Sequence, residues 1–267
     1  MTPAVSPPTF HCHHCRGLMS FGAIPTCDSC GAVVEYEQGV PILLRDKSIL
    51  QGRGKAAVAE SIFHQSHGYY VFVTAKRWLF CDATIGANEF TTGRDVLDVG
   101  CGPSLTLGHL EYDPRACRTL TAVDISLPFV LSARSAYPES RYSFAVASID
   151  NLPFADKAFD TTVVSFVLHH LPFDLRRVMA EVARVTRRTI IIYDHLRADS
   201  GWKSALQGTY WRIMDGGDQY LTRRQWSETL QDVQVYRELK TGALFGHVTK
   251  FICTVPAAPS PGARPSR

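Results

Sequence analysis

The chain has 267 residues, 45% hydrophobic and 20% charged, with a formal net charge of +3. It is long enough for an α/β domain with a smaller module beside it. It is too weakly basic for charge alone to imply nucleic acid. No apolar run approaches the roughly 20 residues of a membrane helix. Met1 to Phe10 lacks the basic-then-apolar layout of a secretory leader, so a cytoplasmic protein with no membrane partner is expected. Eight cysteines in that setting point to metal or free thiols ahead of disulfides. Residues 1–9 are proline-rich and expected to be flexible.

Residues 10–44 read as a metal module. His11-Cys12-His13-His14-Cys15 and Cys27-Asp28-Ser29-Cys30-Gly31 hold two C-x-x-C pairs separated by eleven residues. Each pair can form a knuckle with both thiolates on one ion, and two knuckles complete a tetrahedral zinc site. A redox dithiol is the competing reading, but such a pair stands alone at a helix start. Cys12, Cys15, Cys27 and Cys30 are therefore the expected ligands of a structural zinc, and His11, His13 and His14 are left at the surface. Val33 to Leu44 alternates, turns at Gly39 and ends apolar, as a hairpin packed on a zinc ribbon would. Its Gly-Val-Pro-Ile-Leu-Leu ending resembles the small zinc-ribbon proteins that bind and activate methyltransferases. It also resembles the N-terminal zinc module of ribosomal RNA guanine methyltransferases. Between residues 1 and 44, Arg16 is the one basic residue against Asp28, Glu35 and Glu37. A ribbon that tracks phosphates should be basic.

Residues 45–92 read as a linker with helices. Gly52-Arg53-Gly54 marks a hinge, and Ala56 to Ile62 is helical in composition. Tyr69-Tyr70-Val71-Phe72 and Trp78-Leu79-Phe80 precede the first strand. They either pack the linker onto the sheet or supply a lid over bound ligand, with Tyr69 or Tyr70 the residue suited to it.

From residue 93 to 255 strands and helices alternate, which predicts a parallel sheet covered on both faces. Val96-Leu97-Asp98-Val99-Gly100-Cys101-Gly102-Pro103-Ser104 reads as a buried strand, a tight turn and the start of a helix. Glycines at 100 and 102 let a ligand approach the main chain, and amides at a helix start favour an anionic group. With Asp98 beside them, the turn suits the amino-acid end of a zwitterion. A dinucleotide turn would want a third glycine where Leu105 stands. Leu-Asp-Val-Gly-Cys-Gly-Pro instead resembles the donor loop of class I S-adenosylmethionine-dependent methyltransferases. That resemblance implies a Rossmann-like, mostly parallel sheet of seven strands with helices on both faces, S-adenosylmethionine as cofactor, and Asp98, Gly100, Cys101 and Gly102 in the donor loop.

The second strand, Thr119 to Asp124, ends in an acid that can accept from both ribose hydroxyls, because an ionised carboxylate only accepts. The alternative for Asp124 is an acid favoured by the following helix dipole. Tyr142 to Ala147 leads into Ser148-Ile149-Asp150-Asn151-Leu152-Pro153-Phe154, and Thr162 to Val167 makes the fourth strand. An acid at 150, then Leu152-Pro153-Phe154, then Phe159-Asp160 opening a strand resembles the small-molecule branch of that family, and by resemblance Ile125, Ile149, Asp150 and Ser165 join the donor site, with Asp150 on the adenine amino group. Asp150 could equally make only a turn.

Leu168-His169-His170-Leu171-Pro172 falls at a strand's carboxyl end, where open α/β sheets place ligands. His169 or His170 could take a proton from an acceptor, and Asp194-His195 after the fifth strand is a second acid–base candidate. Asp174 should cap a helix with Leu175, Val178, Met179, Val182 and Val185 on one face. Its arginines, with Arg187 and Arg188, read as a solvated face and dipole partners. Trp202 to Tyr220 is an aromatic insertion suited to an organic substrate. Thr222 with Gln225 makes a capping box, two antiparallel strands close the sheet, and residues 256–267 are expected to be disordered. The leading expectation is methylation of an O, N or C nucleophile on a small metabolite or natural product. The alternatives are base methylation of ribosomal or transfer RNA, and a methyltransferase-like protein that binds donor without transfer. Monomer and homodimer both stay open.

Overall fold

The computed structural model describes residues 10–20, 25–45, 87–102, 112–172, 174–199, 201–214, 217, 219–243 and 246–256. The linker positions Tyr69 and Tyr70, and the stretch from Pro103 that should open the first helix, lie outside them. The N-terminal module contributes β1 (Met19–Ser20), β2 (Thr26–Cys27), β3 (Glu35–Glu37) and β4 (Val40–Ile42). A one-turn helix α1 (Asn88–Thr91) precedes β5 (Asp95–Val99), β6 (Thr119–Asp124), α2 (Leu127–Ala136), β7 (Tyr142–Val146) and β8 (Phe159–Ser165). Then come α3 (Leu175–Val185), β9 (Thr186–Leu196), α4 (Gly201–Met214), α5 (Arg223–Thr229), β10 (Gln234–Ala243) and β11 (Gly246–Thr254).

Among the described residues, nine strands form one sheet in the order β10-β11-β9-β8-β5-β6-β7-β4-β3. Pairing is parallel from β4 through β9 and antiparallel at both ends. The expected count of seven is therefore too low by the two strands of the module's hairpin. That hairpin does not stay on the ribbon. Ile42 pairs in parallel with Val146, and the Leu43 amide donates to the Val146 carbonyl at 2.8 Å. The physical reason is that β7 would otherwise be an exposed edge with unmet backbone groups, and Val40, Ile42, Leu43 and Leu44 gain burial by covering it.

The two faces of the sheet carry separate apolar clusters. One joins Leu97, Val99 and Val164 to α3, to Trp226 of α5 and to Cys12, Met19 and Val34 of the module. The other joins Val96, Ala122 and Val163 to α2 and to Val40 and Ile42. Asp174 caps α3 by accepting from the Arg176 amide, and the Thr222–Gln225 capping box starts α5. The strand order reverses between β5 and β8, which opens a crevice at their carboxyl ends, the usual ligand position in such sheets. Among the described residues, no helix is long and apolar enough to cross a membrane.

Candidate active site

The glycine turn sits in that crevice. Gly100 has φ +72°, and a Cβ there would fall 2.2 Å from Cγ2 of Val167. The amides of Gly100 and Cys101 both donate to the Val123 carbonyl, at 2.8 and 3.1 Å. This folds the turn towards the end of β6. There Asp124 accepts from the Gly102 amide at 3.0 Å and from the Ser126 amide at 2.9 Å. Its carboxylate thus spans the glycine turn and the start of α2, combining the two readings its position allows. Ile125 follows it, half-buried.

Asp98 is buried and accepts from the Tyr112 hydroxyl at 2.8 Å. Burial pushes the Tyr112 hydroxyl well above its ordinary value, and the Asp98 charge adds to this. The same two causes act on the Cys101 thiol, where burial is again larger and Asp124 and Asp98 contribute. Tyr112 was not legible as a site residue, since nothing local marks a loop tyrosine as an acid's partner. At the end of β7, the Ser148 hydroxyl donates to Asp150, Ile149 is buried and Asp150 half-buried. Three carboxylates therefore stand at the carboxyl ends of three adjacent parallel strands, around a turn whose Gly102 has open space at its Cβ position. Acceptor-only groups around an open glycine backbone fit a ligand rich in hydroxyl and amino donors.

The end of β8 is built differently. Ser165 is buried, and Phe166 takes φ +53° with its amide donating to the Tyr193 carbonyl at 2.7 Å. Positive φ at a bulky residue is costly and gathers at functional positions. It aims the chain into a 3-10 turn, Leu168–His170. His169 is buried there with its Nδ1 2.6 Å from Oδ1 of Asp194. Burial alone would raise the Asp194 carboxyl, but the charge and hydrogen bond of His169, with the charge and amide of His195, hold it below its ordinary value. His170 lies beside His169, half-buried, with ring centroids 3.9 Å apart. Tyr220 stacks on His169 at 5.4 Å, and Trp211 lies 4.7 Å from the His195 ring. Phe166 and Tyr193 complete an aromatic enclosure that sequence reasoning met only at Trp211 and Tyr220. The structure thus unites the two separate acid–base candidates in one cluster, because β9 runs on through Asp194 and His195 to Leu196.

In the N-terminal module the sulfurs of Cys12 and Cys30 are 3.6 Å apart and those of Cys15 and Cys27 3.5 Å, with all four within 4.8 Å of one another. Zinc–sulfur bonds of about 2.3 Å in a tetrahedron put sulfurs roughly 3.8 Å apart, so the four thiols fit a zinc ion. Against the cost of desolvation, amides of Cys30 and Ser29 bring the Cys27 thiol down to about 6. His13 is not a surface residue as expected. It is buried because its carbonyl accepts from Asn151 at 2.9 Å, which draws the knuckle against the β7 turn.

The glycine turn, the acids at the ends of β5, β6 and β7 and the crevice beside β8 sit on a Rossmann-like α/β domain. Residues 97–192 match the family described as "Methyltransferase domain". The matched segment carries the glycine turn and the acids at 98, 124 and 150, and it is in this part that the chain is similar to methyltransferases. The methyltransferase GfsG of Streptomyces halstedii is 35% identical over 103 residues, covering 37% of this chain and 36% of that protein. Ajmaline N-methyltransferase of Rauvolfia serpentina is 32% identical over 112 residues, covering 40% and 38%. The chain thus spans little more than a third of the length of these relatives. A complex of the Haloferax volcanii Trm112 methyltransferase activator with a methyltransferase matches with TM-score 0.60 at 16% identity, covering 74% of this chain and 97% of that one. At that identity the likeness speaks for the fold.

Proposed function

We propose that this chain methylates a nucleophilic oxygen, nitrogen or carbon of a small organic acceptor. Donor would be held by Asp98, Gly100, Cys101, Gly102, Asp124, Ile125, Ile149, Asp150 and Ser165. The observation that carries the reading is the placement of two unlike groups of side chains on one sheet edge. The polar one lies at β5, β6 and β7, and an aromatic-walled one with a buried imidazole lies at β8 and β9. Relatives named for methylation in small-molecule chemistry, such as ajmaline N-methyltransferase, support the acceptor class.

The donor brings a methyl group already activated on a sulfonium, so the protein's task is positioning for in-line attack and exclusion of water. As the acceptor's bond to the methyl carbon forms, the carbon–sulfur bond breaks and its electron pair stays on sulfur. An O–H or N–H acceptor then loses its proton. His169, backed by Asp194, would take it, with His170 beside it. Tyr70 stays a candidate for the lid. Cys12, Cys15, Cys27 and Cys30 would hold a structural zinc that ties the two knuckles together.

Four of the arginines on or after α3 are engaged within the fold, which supports a small acceptor over RNA. Arg176 pairs with Asp232, Arg184 with Glu181 and Asp156, and Arg187 and Arg188 with Asp160. Incubating the protein with methyl-labelled donor, against a metabolite extract and total RNA in parallel, tests the reading. Label in the small organic fraction is expected. Label in RNA overturns the acceptor class, and bound donor with no transfer to either overturns the transfer.

A further inference from the structure

The two cysteine knuckles share one geometry but not one residue. In the second, the Gly31 amide donates to the Cys27 carbonyl at 3.0 Å and Gly31 takes φ +71°. In the first, the Arg16 amide donates to the Cys12 carbonyl at 2.8 Å and Arg16 takes φ +62°. The knuckle asks for glycine at this place, and the first one carries a long cationic side chain in a left-handed conformation that L residues adopt at a cost. Such an outlier is sustained by what its side chain does.

The Arg16 guanidinium reaches both carboxylate oxygens of Glu181, at 3.2 and 3.1 Å. Glu181 is a buried residue of α3, and it also accepts from the Leu152 amide at 2.8 Å and from Arg184. Arg184 in turn donates to the carbonyls of Leu152 and Phe154. The segment after β7 is therefore gripped by the Glu181–Arg184 pair from one side. From the other, the ribbon holds it through Asn151 to the His13 carbonyl and through the His11 amide to the Pro153 carbonyl, both at 2.9 Å. Ser148 and Asp150, at the head of the same segment, line a cavity of about 720 Å³ together with Cys15 and Arg16 of the first knuckle.

We propose that Arg16 is a positioning residue for the methyl donor, carrying the state of the cysteine knuckle through Glu181 to the turn that meets the donor's adenine end. The proposal rests on the donor reading of Ser148 to Asp150. A knuckle closed on its metal fixes where Arg16 stands. Arg16 fixes the Glu181 carboxylate, and Glu181 fixes the Leu152 amide and the turn before it. Metal binding and donor binding are then linked, and linkage is reciprocal.

The experiment compares wild type, Arg16→Gly and Arg16→Lys, each loaded with zinc, using calorimetric titration with S-adenosylhomocysteine. Glycine suits the knuckle's backbone, so Arg16→Gly should keep its zinc. Its dissociation constant for S-adenosylhomocysteine should rise about tenfold, within the usual range of coupling between sites. The donor KM should rise with kcat nearly unchanged. Arg16→Lys should recover part of the affinity, because a single Arg16 nitrogen meets both Glu181 oxygens and an ammonium keeps that charge on a shorter side chain. In wild type, saturating S-adenosylhomocysteine should slow zinc transfer to a chelator, and in Arg16→Gly it should not. Wild-type affinity in Arg16→Gly, or zinc release indifferent to S-adenosylhomocysteine in wild type, overturns the proposal. A wild-type protein that binds no S-adenosylhomocysteine overturns the donor reading and the proposal with it.

Discussion

Nδ1 of His169 lies 2.6 Å from Oδ1 of Asp194, and both side chains are almost fully out of solvent. The same carboxylate accepts from the main-chain amides of His169 and His195. The imidazole is thereby held in one orientation at the end of β8 by a residue near the end of β9. Since the folded-state carboxyl lies below its ordinary value, the pair stabilises the fold at neutral pH. That contribution is complete above the ordinary carboxylate range, near 4, and is lost as pH falls through the depressed folded value. Asp194→Asn should cost roughly 1.5–3 kcal/mol at pH 7, the range for hydrogen bonds to a charged group. Urea unfolding of both proteins at pH 7 and pH 3 would show it, with the gap narrowing at the lower pH. A gap that stays constant or widens on acidification would remove the lowered Asp194 carboxyl from the account.

Gly100 and Gly102 make a sharper pair of tests, since both have positive φ but, among the described residues, only Gly100 has a neighbour in the way. Alanine at 100 would combine backbone strain with a clash against Val167, and should cost roughly 2–4 kcal/mol. Alanine at 102 meets no atom of the described residues within 4 Å and should cost about 1 kcal/mol, from strain alone. Adding Val167→Ala to Gly100→Ala should return the clash part and leave the strain part. Thermal or urea unfolding of the four proteins separates the two contributions. Equal losses at 100 and 102 would contradict the packing described.

Local chemistry made much of this fold legible. Thr119 to Asp124 is a β-branched run closed by an acid, and the strand spans those residues. Asp174 and the Thr222–Gln225 pair announce helix starts because capping is written within four residues. What stayed hidden depends on contacts far apart in the chain. Ile42 meets Val146 across more than a hundred residues with no local sign that a ribbon hairpin would extend the sheet. β9 begins at Thr186 directly after α3, because the Thr186 hydroxyl bonds both the Val182 carbonyl and Thr162. The site divides in the same way. The acids at 98, 124 and 150 were readable from strand-end position, while the union of His169 with Asp194, and of Asp98 with Tyr112, needed the sheet to be assembled first.

Asp124 offers the most direct test of the donor site. Its carboxylate already orders the Gly102 and Ser126 amides, and two oxygens with about four acceptor positions leave capacity for ribose hydroxyls. Asp124→Ala removes both functions. Hydrogen bonds to a charged group are worth roughly 1.5–3 kcal/mol, so S-adenosylhomocysteine affinity should fall by well over tenfold in calorimetry. Asp124→Asn should fall less, because it keeps one acceptor oxygen. Unchanged affinity in Asp124→Ala would take the residue out of the site.

The cysteine cluster predicts about one zinc per chain by metal analysis, lost when Cys12 and Cys27 are both replaced by serine. Their sulfurs belong to different close pairs, Cys12 with Cys30 and Cys15 with Cys27, so the double change leaves one thiol in each. Two remaining thiols cannot complete a tetrahedral structural site. Because Cys12 and Cys27 lie in the same apolar cluster as Leu97 and α3, disordering the ribbon should reach the sheet. Chelation or the double substitution should therefore lower the melting temperature by roughly 10 °C or more, given the free energy that structural zinc contributes. Circular dichroism melts before and after chelation measure this, and adding zinc back should restore the wild-type melt but not that of the double variant. A wild-type preparation that is free of metal and melts no differently when zinc is supplied would dismiss the ribbon's ion.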